Sequence, residues 1–190
     1  MTNTNVSTRL ATIRTHRPWP WAIGWALIPV LFAAIGFGYA QSQQFDDRRT
    51  YLATAAAVTA AALVGLIRML SSRIGLSRFG FRRPAAGSAR PLIWFAPLAL
   101  GPVLVAATTG IAVDGALIPG FIWLAAAAAF SEEIWYRGIV MATLRQRSRR
   151  TAIVGSAVIF GVLHLANLFG GASPLYAGLQ LAFAALFGLV

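Results

Sequence analysis

The chain has 190 residues, of which 58% are hydrophobic and only 11% are charged, and its mean hydropathy is positive. A water-soluble domain has too little interior for that share of apolar side chains. The formal net charge of +11 would suit nucleic acid, but the basic residues, all of them Arg, lie between long apolar runs. We therefore expect a membrane protein whose partners include the lipid bilayer and exclude nucleic acid.

Cysteine is absent from the chain. This excludes a disulfide framework, a thiolate nucleophile and a sulfur-ligated metal. Any catalysis by this chain must therefore use carboxylate, imidazole or hydroxyl groups.

The first 18 residues, rich in Thr, Asn and Arg, are predicted to form a solvated cytoplasmic tail in which His16 is a surface residue. Residues 19–190 are predicted to form one membrane domain. The first apolar run could instead be a signal peptide, because Gly38 and Ala40 make a small-x-small cleavage site after a basic region. Cleavage there would leave the rest of the topology unchanged.

Six apolar runs approach the length of about 20 residues that a helix needs to cross a hydrocarbon core of about 30 Å. They lack the alternating pattern of barrel strands, so the predicted fold is an all-α, polytopic transmembrane bundle. The predicted spans are approximately Trp21 to Ala40, Tyr51 to Ile67, Leu92 to Thr109, Gly115 to Met141, Ala152 to Phe169, and Leu175 to the chain end.

Arginine is distributed unevenly among the loops, and loops that stay in the cytoplasm collect it. The tail, the second loop (residues 68–90) and the fourth loop (residues 145–150) are Arg-rich. The first loop offsets its two Arg residues with two Asp residues, and the third and fifth loops carry no Arg. The pattern predicts an integral protein of a bacterial cytoplasmic membrane with its N-terminus inside.

Four ionisable residues interrupt the apolar runs, at a cost of about 2.5 to 3.5 kcal/mol each on insertion scales. Glu132, Glu133 and Arg137 lie in the fourth run, and His164 lies in the fifth. Glu133 precedes Arg137 by four residues, which is the favoured order for a helical ion pair. Glu132 points about 100° away around the helix and needs a second partner.

Helix geometry suggests His164 as that partner. Counted from the basic loop between the two runs, Glu132 and His164 lie at about 20 and 21 Å, at 1.5 Å per residue. An antiparallel helix pair would therefore bring them to a similar level. The alternative is that Glu132 and Glu133 cap a surface turn with Arg137 while His164 packs. Asn167 and Gln180 are expected to form interhelical hydrogen bonds.

These residues resemble the first two motifs of the CPBP family, which comprises CAAX prenyl proteases and bacteriocin-processing enzymes and is also called Abi. The motifs are Glu132-Glu133-x-x-x-Arg137 and Phe160-x-x-x-His164, and the resemblance covers roughly residues 121–190. It implies a bundle of about eight membrane helices, of which six are present here. The family's third motif, a second His followed by Asn or Asp, has no match, so we expect a C-terminally truncated sequence.

The resemblance also implies a mechanism, which is hydrolysis of a peptide bond in a membrane-associated peptide or protein. Glu132 would activate water as the base, and His164 would hold that water or a divalent metal such as zinc, with Glu132 as a second ligand. Glu133 and Arg137 would brace the site, and Phe160 and Asn167 would support it. A zinc site usually needs three protein ligands, so metal-free water remains an equal alternative.

Two other functions fit the same residues. A non-catalytic immunity or scaffold protein on this fold would keep its helix packing and tolerate loss of Glu132 and His164. A transporter subunit would use Glu132 as a coupling carboxylate, and its flux would stop on Glu132→Gln.

Overall fold

The computed structural model describes residues 17–72, 74–81 and 114–189, and within these ranges all regular structure is helical. The α-helices are α1 (Pro18–Ser42), α2 (Asp47–Leu70), α3 (Ile118–Glu132), α4 (Met141–Leu144), α5 (Arg149–Leu163) and α6 (Pro174–Leu189). A π-helix, Glu133–Val140, joins α3 to α4, and 3₁₀ helices cover Leu76–Phe79, Gly115–Leu117 and His164–Gly170. The predicted all-α fold is confirmed.

Four stretches of the described chain are long and apolar enough to cross a membrane. They are Pro18–Ser42, Asp47–Leu70, Gly115–Leu144 and Arg149–Gly170, here called the first to fourth spans. Each contains one of the predicted spans. The sixth predicted run is also helical, but its apolar part, Pro174–Leu186, is shorter than these four. The predicted span at Leu92 to Thr109, and the tail up to residue 16, lie outside the described residues.

Local signals explain where the helices begin. Pro18 occupies the first turn of α1, where its missing N–H costs nothing. The Asp46 carboxylate caps α2 by accepting a hydrogen bond of 2.8 Å from the Arg49 backbone N–H. The Ser148 hydroxyl caps α5 by accepting one of 3.0 Å from the Thr151 N–H. These caps fix the ends of the first and fourth loops.

The helices pack as sequential neighbours, α1 on α2, α2 on α3 and α5 on α6. Small residues allow the close approach that stabilises helix pairs in lipid. A Cβ added at Gly161 of α5 would lie 2.9 Å from the Leu181 carbonyl oxygen of α6. A Cβ added at Gly65 of α2 would lie 2.5 Å from Ile134 Cγ2 in the π-helix. Both glycines therefore set interhelical distances.

The π-helix lies at the centre of the bundle, in contact with α1, α2 and α5. The Trp135 indole N–H donates to the Ala61 carbonyl of α2 at 3.0 Å, and the Tyr136 hydroxyl donates to the Ala26 carbonyl of α1 at 3.1 Å. The Ser156 hydroxyl of α5 donates to the Tyr136 carbonyl at 2.9 Å. These bonds satisfy buried polar groups that lipid could not. They tie three neighbouring helices to one segment.

Side-chain contacts bring the Arg-rich loops to one end of the bundle. The Arg68 guanidinium, near the end of α2, lies 5.5 Å from the ring centroid of Trp25 near the start of α1. The Trp19 ring lies against Gly155 of α5, next to Leu144. The end of α2 and the junction between α4 and α5 therefore both lie near the start of α1, at one end of the bundle.

Candidate functional site

A cavity of about 430 Å³, here called the polar cavity, lies beside the middle of the third span. It brings Glu132 and His164 together from different helices. Its walls are Pro29, Val30, Ala33, Thr54, Val58, Leu124, Ala128, Ser131, Glu132, Tyr136, Phe160, Leu163, His164, Ala166, Asn167 and Gln180. Glu132 and His164 are predicted to lie at a similar depth, and their presence in the wall of one cavity agrees with that prediction.

Glu132 is the last residue of α3 and is partly buried. Within the described ranges its carboxylate has neither a hydrogen bond nor an ion pair. Two hydroxyl groups that line the same cavity also lack a partner: Ser131 Oγ and Thr54 Oγ1 are buried and form no hydrogen bond with the described residues. Ser131 is only 1% exposed. Buried polar groups of this kind usually bind a polar molecule such as water.

The orientation of His164 is fixed by Phe160, one helical turn earlier. His164 Nδ1 lies 2.8 Å from the Phe160 carbonyl oxygen, which can only accept, so Nδ1 carries the proton. In the neutral imidazole Nε2 is then the acceptor. The two rings also meet edge to face at 4.7 Å, and the Phe160 ring packs against Tyr136 at 4.8 Å. Phe160 therefore positions the imidazole through both its backbone and its ring.

Glu133 and Arg137 form the ion pair that their spacing predicts, with Glu133 Oε1 3.1 Å from Arg137 Nε. They line a second cavity, together with Phe79 and Arg145, and do not line the polar cavity. The alternative in which Glu132 and Glu133 cap a surface turn is wrong, because the backbone runs as a continuous helix from α3 through the π-helix. The four predicted site residues are therefore divided between two cavities.

Asn167 and Gln180 also line the polar cavity. The Asn167 side-chain amide donates to Gln180 Oε1 at 2.6 Å, which joins the 3₁₀ helix to α6. The predicted interhelical role of both residues is confirmed.

Few side chains in the described part of the chain are placed to ligate a metal ion. The described part of the chain contains no group of three or more His, Cys, Asp or Glu side chains that could hold an ion. A zinc site usually needs three protein ligands, and Glu132 with His164 supplies two. Glu132 and His164 by themselves therefore do not fit zinc.

Ser131, Thr54 and Tyr136 belong to the polar cavity but were not predicted as site residues. Tyr136 follows Glu132 by one helical turn, so helical periodicity could have placed it on the same face, whereas Ser131 is the adjacent residue and points about 100° away. Thr54 has no such signal. It reaches the cavity from α2, whose position depends on packing.

The fold and this cavity define a polytopic helical membrane protein with ionisable groups enclosed among its helices. Residues 114–190 match the family described as Rce1-like, type II CAAX prenyl endopeptidase Rce1-like. The matched segment includes Glu132, Glu133, Arg137, Phe160 and His164, and it confirms the resemblance to CAAX proteases drawn from the two motifs. No curated protein and no solved structure matches the chain.

Proposed function

We propose that this chain is an intramembrane endopeptidase of the CAAX-protease-like type, acting on a peptide bond of a membrane-associated substrate. The observation that carries the proposal is that Glu132 and His164, from two different spans, line one cavity. Both lie in the segment that matches the Rce1-like family. Ionisable side chains are retained inside a membrane mainly where they serve function.

In the proposed mechanism a water molecule lies between Glu132 and His164 and donates one hydrogen bond to the carboxylate and one to Nε2. Its oxygen lone pair is then directed at the substrate carbonyl carbon. As the C–O bond forms, the water proton passes to Glu132, which returns it to the leaving amine when the C–N bond breaks. Ser131 Oγ and Thr54 Oγ1 are the nearby hydroxyls available to donate to a substrate carbonyl or to bound water.

The roles of the other residues follow from their contacts. Phe160 holds His164 in the tautomer that leaves Nε2 as an acceptor. Glu133 and Arg137 line the other cavity and pair with each other at 3.1 Å, so they would stabilise the helical segment beside Glu132 without contacting the substrate. We place the Arg-rich end, with the N-terminus, on the cytoplasmic side of a bacterial membrane.

The proposal can be tested with the full chain in lipid nanodiscs. The probe is an internally quenched peptide ending in a farnesylated Cys-aliphatic-aliphatic-X sequence, a choice that follows the family description. Glu132→Gln should abolish the increase in fluorescence. Asp114→Asn is the matched control, because it also converts a carboxylate to an amide but lies at the end of the third span. Full turnover by Glu132→Gln would show that Glu132 is not the base.

A further inference from the structure

The second cavity, here called the basic cavity, has a volume of about 610 Å³ and lies where the 3₁₀ helix Leu76–Phe79 meets the third span and the start of α5. None of its residues lines the polar cavity. Its walls are Phe79, Gly80, Phe81, Phe130, Glu133, Arg137, Met141, Arg145, Arg149 and Ile153. It is therefore a separate site, to which the proposed peptidase mechanism assigns no ligand.

The charge of this cavity is unbalanced. It contains three guanidinium groups and one carboxylate, and that carboxylate, Glu133, pairs with Arg137 at 3.1 Å. In residues 17–72, 74–81 and 114–189, no carboxylate lies within ion-pair distance of Arg145 or Arg149. The hydrogen bond found for the Arg145 guanidinium is a weak one of 3.8 Å to Met141 Sδ. Two guanidinium groups thus remain to bind an anion.

The rest of the wall is apolar and faces the surroundings of the bundle. Phe130, on the third span, is 50% exposed, and Phe81, which follows the 3₁₀ helix Leu76–Phe79, is 43% exposed. Met141 and Ile153 continue this apolar surface between the third and fourth spans. A soluble anion would contact the arginines and leave these rings uncovered. A ligand with both an anionic group and a hydrocarbon chain would cover both parts.

We propose that the basic cavity binds an anionic membrane phospholipid. Arg145 and Arg149 pair with the phosphate oxygens, for which the planar guanidinium geometry is well suited. The proximal part of an acyl chain packs on Phe81 and Phe130. The site lies at the Arg-rich end of the bundle, where lipid headgroups are found, and basic pockets between membrane helices bind such headgroups. This site does not depend on whether Glu132 is catalytic.

The test uses the purified full chain, delipidated in a neutral detergent and titrated with phosphatidylglycerol, with retained lipid counted by native mass spectrometry. The variant is R145Q/R149Q. The matched control is R147Q/R150Q, which also removes two positive charges from residues 145–150, but at positions that do not line the cavity. Loss of two charge-assisted pairs should weaken binding by about tenfold or more in R145Q/R149Q only. Equal weakening in both variants would overturn the proposal, because it would indicate diffuse attraction by the loop.

A second experiment uses only the wild-type chain, so it remains informative if R145Q/R149Q does not fold. The wild-type chain should be stabilised against heat by phosphatidylglycerol, and less by phosphatidylcholine or by inorganic phosphate alone. Equal stabilisation by phosphatidylcholine would rule out a requirement for an anion. Equal stabilisation by inorganic phosphate would identify a soluble anion as the ligand and would contradict the role of the aromatic wall.

Discussion

Gly65→Ala should destabilise the bundle by overpacking the junction between α2 and the π-helix. The new methyl group would lie 2.5 Å from Ile134 Cγ2 and 3.0 Å from Trp135 Cε2, whereas carbon atoms pack at about 3.5 to 4.0 Å. Both neighbours are 0% exposed, so neither can move into lipid. Overpacking of this kind costs about 1 to 3 kcal/mol. Displacement of Trp135 would also weaken its hydrogen bond to Ala61, by about 1 kcal/mol.

Gly24→Ala is the matched control, because a Cβ at this position in α1 would meet nothing within 4 Å. It should be neutral or slightly stabilising, since Ala favours a helix over Gly by up to about 1 kcal/mol. The assay is reversible unfolding in mixed detergent–SDS micelles, followed by Trp fluorescence. Adding Ile134→Ala, which removes Cγ2, should make the double variant more stable than the sum of the two single effects predicts. Equal stability of Gly65→Ala and Gly24→Ala would refute this packing.

Four further single variants and one double variant test polar groups around the polar cavity in the same unfolding assay. Tyr136→Phe removes the hydrogen bond to the Ala26 carbonyl and should cost about 1 kcal/mol while the helical circular dichroism is unchanged. Asn167→Ala and Gln180→Ala should each cost about 0.6 kcal/mol, and the double variant should cost no more than either, since they share one bond. Ser131→Ala should cost about 0.5 to 1.5 kcal/mol, because it removes a buried hydroxyl that is placed to bind a water molecule in the polar cavity.

Each of these expectations has a clear contrary result. A Tyr136→Phe protein as stable as wild type would mean that its hydroxyl contributes nothing to anchoring the π-helix. Additive losses from Asn167→Ala and Gln180→Ala would mean that the two amides have separate partners. A Ser131→Ala protein as stable as wild type would mean that this hydroxyl binds no water in the cavity.

Much of the site could be predicted because its signals are local to one helix or to one helical hairpin. The Glu133–Arg137 ion pair follows from i,i+4 spacing alone. The meeting of Glu132 and His164 follows from counting residues along two helices joined by a short loop. Four of the predicted spans follow from the length of the apolar runs.

The π-helix Glu133–Val140 could not be predicted, because its cause is not local. Trp135 and Tyr136 donate to carbonyls of α2 and α1, so the backbone geometry there depends on tertiary contacts. The separation of Glu133 from Glu132 is partly local, because adjacent helical residues point about 100° apart, but which cavity each one lines depends on the neighbouring helices. A sequence motif names residues that act together and does not show which side of a helix each one faces.

The most direct test of the central claim, that Glu132 and His164 act as one unit, is a double-mutant cycle on turnover of the quenched farnesylated peptide in nanodiscs. Glu132→Gln and His164→Ala should each lower kcat/KM by about 10²- to 10⁴-fold, and the double variant should be little worse than the poorer single one. Losses that multiply across the two positions would mean that the residues act independently. A kcat/KM close to that of the wild type in either single variant would contradict the shared water site directly.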